Sequence, residues 1–334
     1  MTELFDLLCV LRIPGIGSVK YSKLIKDHGS AAAVLEFLKP DQAHIDSVQK
    51  EIELADRIGI QYISDDSEFY PANLREVPNH PPVITARGNL ATLKKPAIGI
   101  VGTRHSTAAG MRIAAEIAEK FASNGYAVAS GMAMGTDTAA HKGALAAPGD
   151  SNTIAVLAGG CDYIWPLENE RLYHYILERG VVISEMPPGF TPVTNNFAQR
   201  NRWVAGISQT LILGEADIKS GSMLTAKFAE GLGRRILAIP GHPSDSRSMG
   251  PNTLIRNKVA SLCMGADDFF GSETVAPKKE KNISEISSLL GINPLAESVL
   301  AELSGKDIGI VKRELIMLEL NGIARKVSGG YIRT

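Results

Sequence analysis

Residues 97–110 read "AIGIVGTRHSTAAG". Five apolar or glycine positions run without a polar interruption, then a Gly-Thr-Arg loop follows. A strand with one wet face would alternate polar and apolar residues, so this run belongs on a strand covered on both faces. The segment "GMRIAAEIAEKFASNG" (110–125) then carries apolar residues at helical spacing. The same strand, loop and helix texture recurs in "YAVASG" (126–131), "TIAVLAGG" (153–160), "VVISE" (181–185), "TLILGEA" (210–216) and "RILAIPG" (235–241). Helix-like stretches such as "TAAHKGALAA" (138–147), "NERLYHYILERG" (169–180) and "LTAKFAEGLGR" (224–234) lie between them. The pattern predicts an α/β fold over 95–270, an extended Rossmann-like, doubly wound parallel sheet with helices on both faces.

The flanks differ in texture. Residues 1–63 read as a helical domain: "ELFDLLCVLR" and "AAAVLEFL" have helical spacing, and "IPGIGSVKYSKLIKDHG" (13–29) joins them through a Pro-Gly-x-Gly turn. That turn either presents helix N-terminal amides to a phosphate or is a tight interhelical turn, the reading favoured here. Residues 64–94, rich in proline and polar side chains, read as a connecting segment. A charged linker is expected at 271–284. The last stretch, 285–334, reads as a small helical module: an amphipathic helix in "GIVKRELIMLELNGI" and a short hairpin with a Gly-Gly turn in "ARKVSGGYIRT". Helix followed by wing is the plan of a winged helix. Its acidic and basic residues balance, unlike the basic excess of a DNA-reading module.

Composition narrows the classes. Across 334 residues, 35 Lys and Arg oppose 36 Asp and Glu, so any anion site must be local. Cys9, Cys161 and Cys263 are isolated, without metal-ligand spacing, which argues against a disulfide framework or a zinc site and for a reducing, cytoplasmic setting. The first residues lack the basic region of a secretory signal, and no apolar run is long enough to cross a bilayer. A soluble protein without a membrane partner is expected.

Open α/β sheets bind ligands at the carboxyl ends of their strands. Here those ends are rich in Gly and Ser, which let backbone amides approach an anion. Neither G-x-G-x-x-G after the first strand nor G-x-x-x-x-G-K-[ST] is present, so no nicotinamide or P-loop cofactor is expected. Catalytic signals are thin. His141 reads as a general base or a loop-pinning histidine, with the second favoured. Asp137 stands four residues before it and could touch it. Ser220 and Ser222 lack a nucleophile elbow and suit an anion cradle at a helix start. Glu185 and Glu215 form a carboxylate pair or hold loops by accepting backbone N–H groups. No catalytic residue, metal ligand or cofactor is assigned. Cations do concentrate at the strand ends: Arg104, then Arg200 and Arg202 around Asn201, then Lys219 and Lys227 around "SGSMLTA". Tyr163 and Trp165 add aromatic faces. Amides, cations and aromatics on one rim suit a phosphodiester with stacked bases. The competing reading pairs Arg200 and Arg202 with Glu185 and Glu215.

Taken in order, "GIVGTR", "SGMAMGTDTAAHKGAL", "TIAVLAGGCDYIWPLENERL", "ISEMPPG", "FAQRNRWVAGIS", "EADIKSGSMLTAKFAEGLGRRILAIPG" and "GPNTLIRN" resemble the DprA/Smf family of DNA-processing proteins. The first 63 residues look like that family's SAM or helix-hairpin-helix domain, and the last fifty like its winged-helix tail. The resemblance implies a dimeric, cytoplasmic protein that binds single-stranded DNA without catalysis. It would protect incoming strands in natural transformation and load the RecA recombinase onto DNA covered by single-strand-binding protein. Carried over residue by residue, the binding pocket comprises Gly102 and Arg104, Ser130 and Gly131, Arg200, Asn201 and Arg202, and Ser220, Gly221 and Ser222. Thr103, Gly160, Trp165 and Lys219 on the same loops complete the candidate strand-binding set. The chain departs from the family pattern "SGxARGID" at Met134 and Thr136, from "FPxRNR" at Ala198, and from "YP" at Trp165. Two other classes compete: a nucleotide or ribosyl hydrolase of the phosphoribohydrolase type, whose "PGGxGTxxE" is missing from "AGGCDYIWPLE" (158–168), and a binding domain for a free nucleotide or signalling ligand.

Overall fold

The computed structural model describes residues 2–149, 152–270, 285–291, 294–320 and 323–333; the expected linker at 271–284 lies outside them. The chain divides into two compact units, Met1–Gly271 and Ser272–Thr334.

The first unit opens with four helices, α1 (Thr2–Leu11), α2 (Ser18–His28), α3 (Ala31–Leu38) and α4 (Gln42–Ile58). Side chains cap two of their starts: Ser30 accepts from Ala33 N–H and Asp41 from His44 N–H. Strand β1 (Gln61–Ser64), the short α5 (Ala72–Arg75) and β2 (Val83–Gly88) follow. Arg12, just after α1, grips Glu51 of α4 with two 2.7 Å bonds, and the same carboxylate accepts from Tyr62 of β1 at 2.8 Å. This bridge ties the helical region to the sheet.

Next come β3 (Ala97–Val101), α6 (Ala108–Ser123), β4 (Ala127–Ser130), α7 (Thr136–Ala146), β5 (Thr153–Val156), α8 (Glu170–Arg179), β6 (Val181–Ser184), α9 (Thr194–Ile207), β7 (Thr210–Leu213), α10 (Gly221–Gly231), β8 (Arg235–Ala238), α11 (Met249–Arg256), β9 (Ser261–Leu262) and α12 (Asp267–Phe270). The sheet order is β1-β2-β6-β5-β4-β3-β7-β8-β9. The seven strands from β6 to β9 are parallel, while β1 and β2 add antiparallel at one edge.

All six strands expected from the apolar runs form. Ile98 and Ile100 of β3 pack with α6 and α7, while Ala97 and Val101 face the cluster holding α9 and α10. That two-sided burial explains the uninterrupted apolar texture. Phe121 of α6 is fully buried among Tyr126, Phe269 and Phe270, and its truncation to Ala would cost about 3–5 kcal/mol.

The reading of 64–94 as a connection needs correction. Residues 83–88 form β2, paired to β6 and largely buried. Pro81, Pro82 and the polar Thr85 hid this strand. Thr85 tolerates burial because its hydroxyl reaches the carbonyls of Ser184 and Met186 at 3.1 and 3.0 Å.

The second unit contains α13 (Glu285–Leu289), α14 (Glu297–Ser304), α15 (Ile308–Leu320), β10 (Ala324–Val327) and β11 (Gly330–Arg333). Val311, Leu315 and Leu318 give α15 one apolar stripe, buried with Leu300 and Tyr331. The hairpin turns through Ser328 and Gly329, the latter at φ 95°. Among the described residues no helix is long and apolar enough to cross a membrane.

His141 lies wholly buried on α7. Thr153 gives its hydroxyl proton to the Val128 carbonyl at 2.8 Å, so the imidazole donates to it from Nδ1, at 2.7 Å. Burial first, and nearby Arg200 second, push its pKa down from 6.5 to about 3. The unfolded chain binds a proton near 6.5 that the native ring refuses, so stability falls as the pH drops from 6.5 towards 3. Urea unfolding at a series of pH values should show that decline, and His141→Met should flatten it; an equal slope in both proteins would refute this account.

Candidate nucleic-acid interface

Strand β3 pairs with β4 on one side and β7 on the other. Their loops diverge there, which opens a crevice at the carboxyl ends of the strands. A pocket of about 450 Å³ occupies it. Its walls are Gly102, Thr103, Arg104 and His105 after β3, Gly131, Ala133 and Asp137 after β4, and Ser220, Gly221, Ser222, Leu224 and Thr225 around the start of α10. Helix α9 closes it with Thr194, Phe197, Ala198 and Asn201, an i, i+3, i+4, i+7 stripe, together with Arg200 and Val204.

The start of α10 suits an anion. No side chain caps it, because the Ser220 and Ser222 hydroxyls bond to each other at 2.8 Å. Gly221 and Ser222 of the first turn line the pocket, so the positive helix end lies at its wall.

The loops beside it are held firmly. Glu215 accepts from Ser106 Oγ, Thr107 N–H and Thr107 Oγ1 at 2.8, 2.7 and 2.5 Å, which fixes the loop after β3. This is the loop-holding role anticipated for it. Asp137 accepts from Gly131 N–H and Ala133 N–H at 3.1 and 3.3 Å, and Asn169 donates to the Met132 carbonyl at 2.8 Å. These bonds hold Met132 at φ 65°, a left-handed conformation costly for a bulky residue. Asp137 thus stiffens its loop alone, while His141 turns to the sheet.

Arg200 crosses beneath this loop, with only 7% of its surface exposed. Its guanidinium donates to the carbonyls of Gly131 and Val156 and lies beside Asp137. Burial lowers its pKa from 12.5 to about 10, so it stays charged at neutral pH. Burial lifts Asp137 above the ordinary carboxylate range, against the pull of Arg200 and the two N–H donors. The guanidinium also dictates Gly131: a Cβ there would sit 2.6 Å from Arg200 Cζ.

Nine of the anticipated residues come together at the pocket: Gly102, Thr103, Arg104, Gly131, Arg200, Asn201, Ser220, Gly221 and Ser222. Five do not line it. Ser130 lies below, with its hydroxyl on the Ile100 carbonyl at 2.7 Å. Gly160 is buried and bonded to Phe190. Trp165 lines an adjoining cleft that shares Gly131, Phe197 and Arg200 with the pocket. Arg202 donates to the Pro78 carbonyl and covers the Trp203 ring at 4.8 Å. Lys219 is exposed on the loop before α10. Two residues apart on a helix are about 200° apart around it, so Arg200 and Arg202 cannot face one site. Neither forms a close ion pair with Glu185 or Glu215; Glu185 accepts the Trp203 indole N–H at 2.7 Å, with the Arg202 charge nearby. Phe197 and His105 were not anticipated. The helical period counted back from Asn201 points to Phe197, once 194–207 is read as one helix.

Residues 61–273 match the family described as DNA recombination-mediator protein A, and residues 1–61 match the DprA-like N-terminal HHH domain. The chain belongs to the DNA recombination-mediator protein A family. It is 33% identical to Protein Smf of Escherichia coli over 289 residues, covering 81% of this chain and 76% of that one. It is 38% identical to a putative DNA processing protein DprA of Mycobacterium tuberculosis, covering 67% of this chain and 60% of the relative. The match to Protein Smf of Synechocystis, at 37% identity, spans only half of that relative's length. The solved DprA of Streptococcus pneumoniae superposes with TM-score 0.69 at 30% identity, covering 81% of this chain and 96% of that one. DprA of Helicobacter pylori, whose structure is described by its single-stranded DNA binding mode, gives TM-score 0.57 at 28% identity, covering 63% and 94%.

The geometry separates the two pocket arginines by role. Arg200→Ala leaves Asp137 buried without its cation, and stability should fall by about 3–5 kcal/mol. Arg104→Ala removes an exposed side chain and should change stability by less than about 0.5 kcal/mol. Denaturant unfolding of both variants checks this; comparable losses would refute the assignment.

Proposed function

We propose that the chain binds single-stranded DNA in the pocket between β3, β4 and β7, protects incoming strands during natural transformation, and loads the RecA recombinase onto them. It does so as a cytoplasmic homodimer, without catalysis, on strands that single-strand-binding protein has covered. One observation carries this reading. An uncapped helix start and the exposed Arg104 share one crevice with the aromatic side chain of Phe197. Phosphates suit the first two and a base the third. The relatives' names point to DNA processing, and the Helicobacter pylori relative is described as a single-strand binder. A hydrolase would need a carboxylate free to act on substrate. Among the described residues the pocket wall presents Asp137, which is engaged with Arg200 and two backbone N–H groups. The domain reading stands as part of the proposal, with β1 and β2 added to the sheet of the core: a helix-hairpin-helix region at 1–63, a Rossmann core at 95–270 and a winged helix at 285–334.

The test is fluorescence anisotropy with oligo-dT and a matched duplex across a salt series. The parent should prefer the single strand. Arg104→Ala should weaken binding and make the log K against log salt slope shallower by about 0.7, the share of one phosphate. Arg202→Ala should leave the slope unchanged. An unaltered slope in Arg104→Ala would remove the strand from this pocket.

A further inference from the structure

The pocket offers an anion fewer side-chain cations than the sequence suggests. Arg200 is engaged with two carbonyls and Asp137, and Arg202 faces Pro78 and Trp203. Arg104 remains, exposed at the mouth, and among the described residues no acidic side chain forms an ion pair with it. What it does touch is an aromatic ring. Its guanidinium carbon lies 4.9 Å from the ring centroid of Trp165. Trp165 in turn meets Phe197 edge to face, with centroids 4.6 Å apart. Three separate parts of the chain converge in this stack: the loop after β3, the loop after β5, and α9.

The kind of partner matters. A carboxylate would orient the arginine but would neutralise its charge and occupy its N–H donors. A ring face attracts the cation through its quadrupole and leaves the in-plane N–H groups free. A base could stack on that face of the indole only by displacing Arg104.

We infer that Trp165 acts on DNA through Arg104: it is a positioning residue that holds the guanidinium at the pocket mouth for a phosphate, rather than a platform for a base. This rests on the single-strand reading given above. It differs from that reading in what it predicts for a strand without bases.

The experiment compares oligo-dT with an oligomer of abasic tetrahydrofuran phosphodiesters of the same length, at low salt, using the full chain. Trp165→Leu should weaken both probes by a similar factor, about two- to fivefold for loss of an exposed cation–π contact. Trp165→Phe, which keeps a ring face, should recover most of the affinity while its thermal unfolding matches the parent. In an Arg104→Ala background, Trp165→Leu should add little further loss. Weakened oligo-dT binding with unchanged abasic binding would make Trp165 a base platform and overturn the inference. Additive losses in the double variant would overturn it as well. If the parent binds neither probe, the single-strand reading itself fails and the inference falls with it.

Discussion

The buried guanidinium of Arg200 is the constraint around which the crevice is built. It joins α9 to the ends of β4 and β5 through the Gly131 and Val156 carbonyls, and it sets its charge beside Asp137. Removing such a cation from water costs several kcal/mol unless its donors and charge are matched. Here the two carbonyls and the carboxylate supply that match. Asp137 in turn holds two backbone N–H groups of the strained loop containing Met132. The Arg200 guanidinium, bonded to two carbonyls with the Asp137 charge nearby, therefore fixes the floor of the pocket and the position of the helix that closes it. A side chain at residue 131 would have to push the guanidinium from this position.

This arrangement divides the work between two kinds of arginine. Arg200 shapes the pocket and is mostly hidden from a ligand. Arg104 is exposed and free of acidic partners among the described residues, with an aromatic ring beside it. The start of α10 adds backbone N–H groups without adding a side-chain charge. A site of this kind contacts few phosphates, so it suits a ligand that also supplies rings to pack against Phe197. A single strand with exposed bases meets that description better than a duplex, whose bases are turned inward.

How much was legible in the sequence depended on which residues answer to tertiary partners. Strands β3 to β8 were readable because both of their faces are buried, which forces continuous apolar runs. β2 was not, because Thr85 is satisfied by carbonyls of a strand nearly a hundred residues away. The strand-end positions of Gly102, Gly131 and Ser220 followed from the α/β pattern, and their pocket roles from the family resemblance. The pairing of Arg200 with Arg202 was misleading, because both lie within α9, where two residues' separation puts them on different faces. The contact of His141 with Thr153 spans two elements, and nothing in the local pattern announces it.

The central claim is that a single strand lies in the crevice at the β3, β4 and β7 ends. The most direct measurement is photo-crosslinking of an oligo-dT carrying 5-iodouracil, followed by mass-spectrometric mapping of the attached peptide. The account predicts adducts on α9 at Phe197, with competition by unlabelled single strand. Adducts confined to residues 1–63 or 285–334, with none on α9, would contradict it.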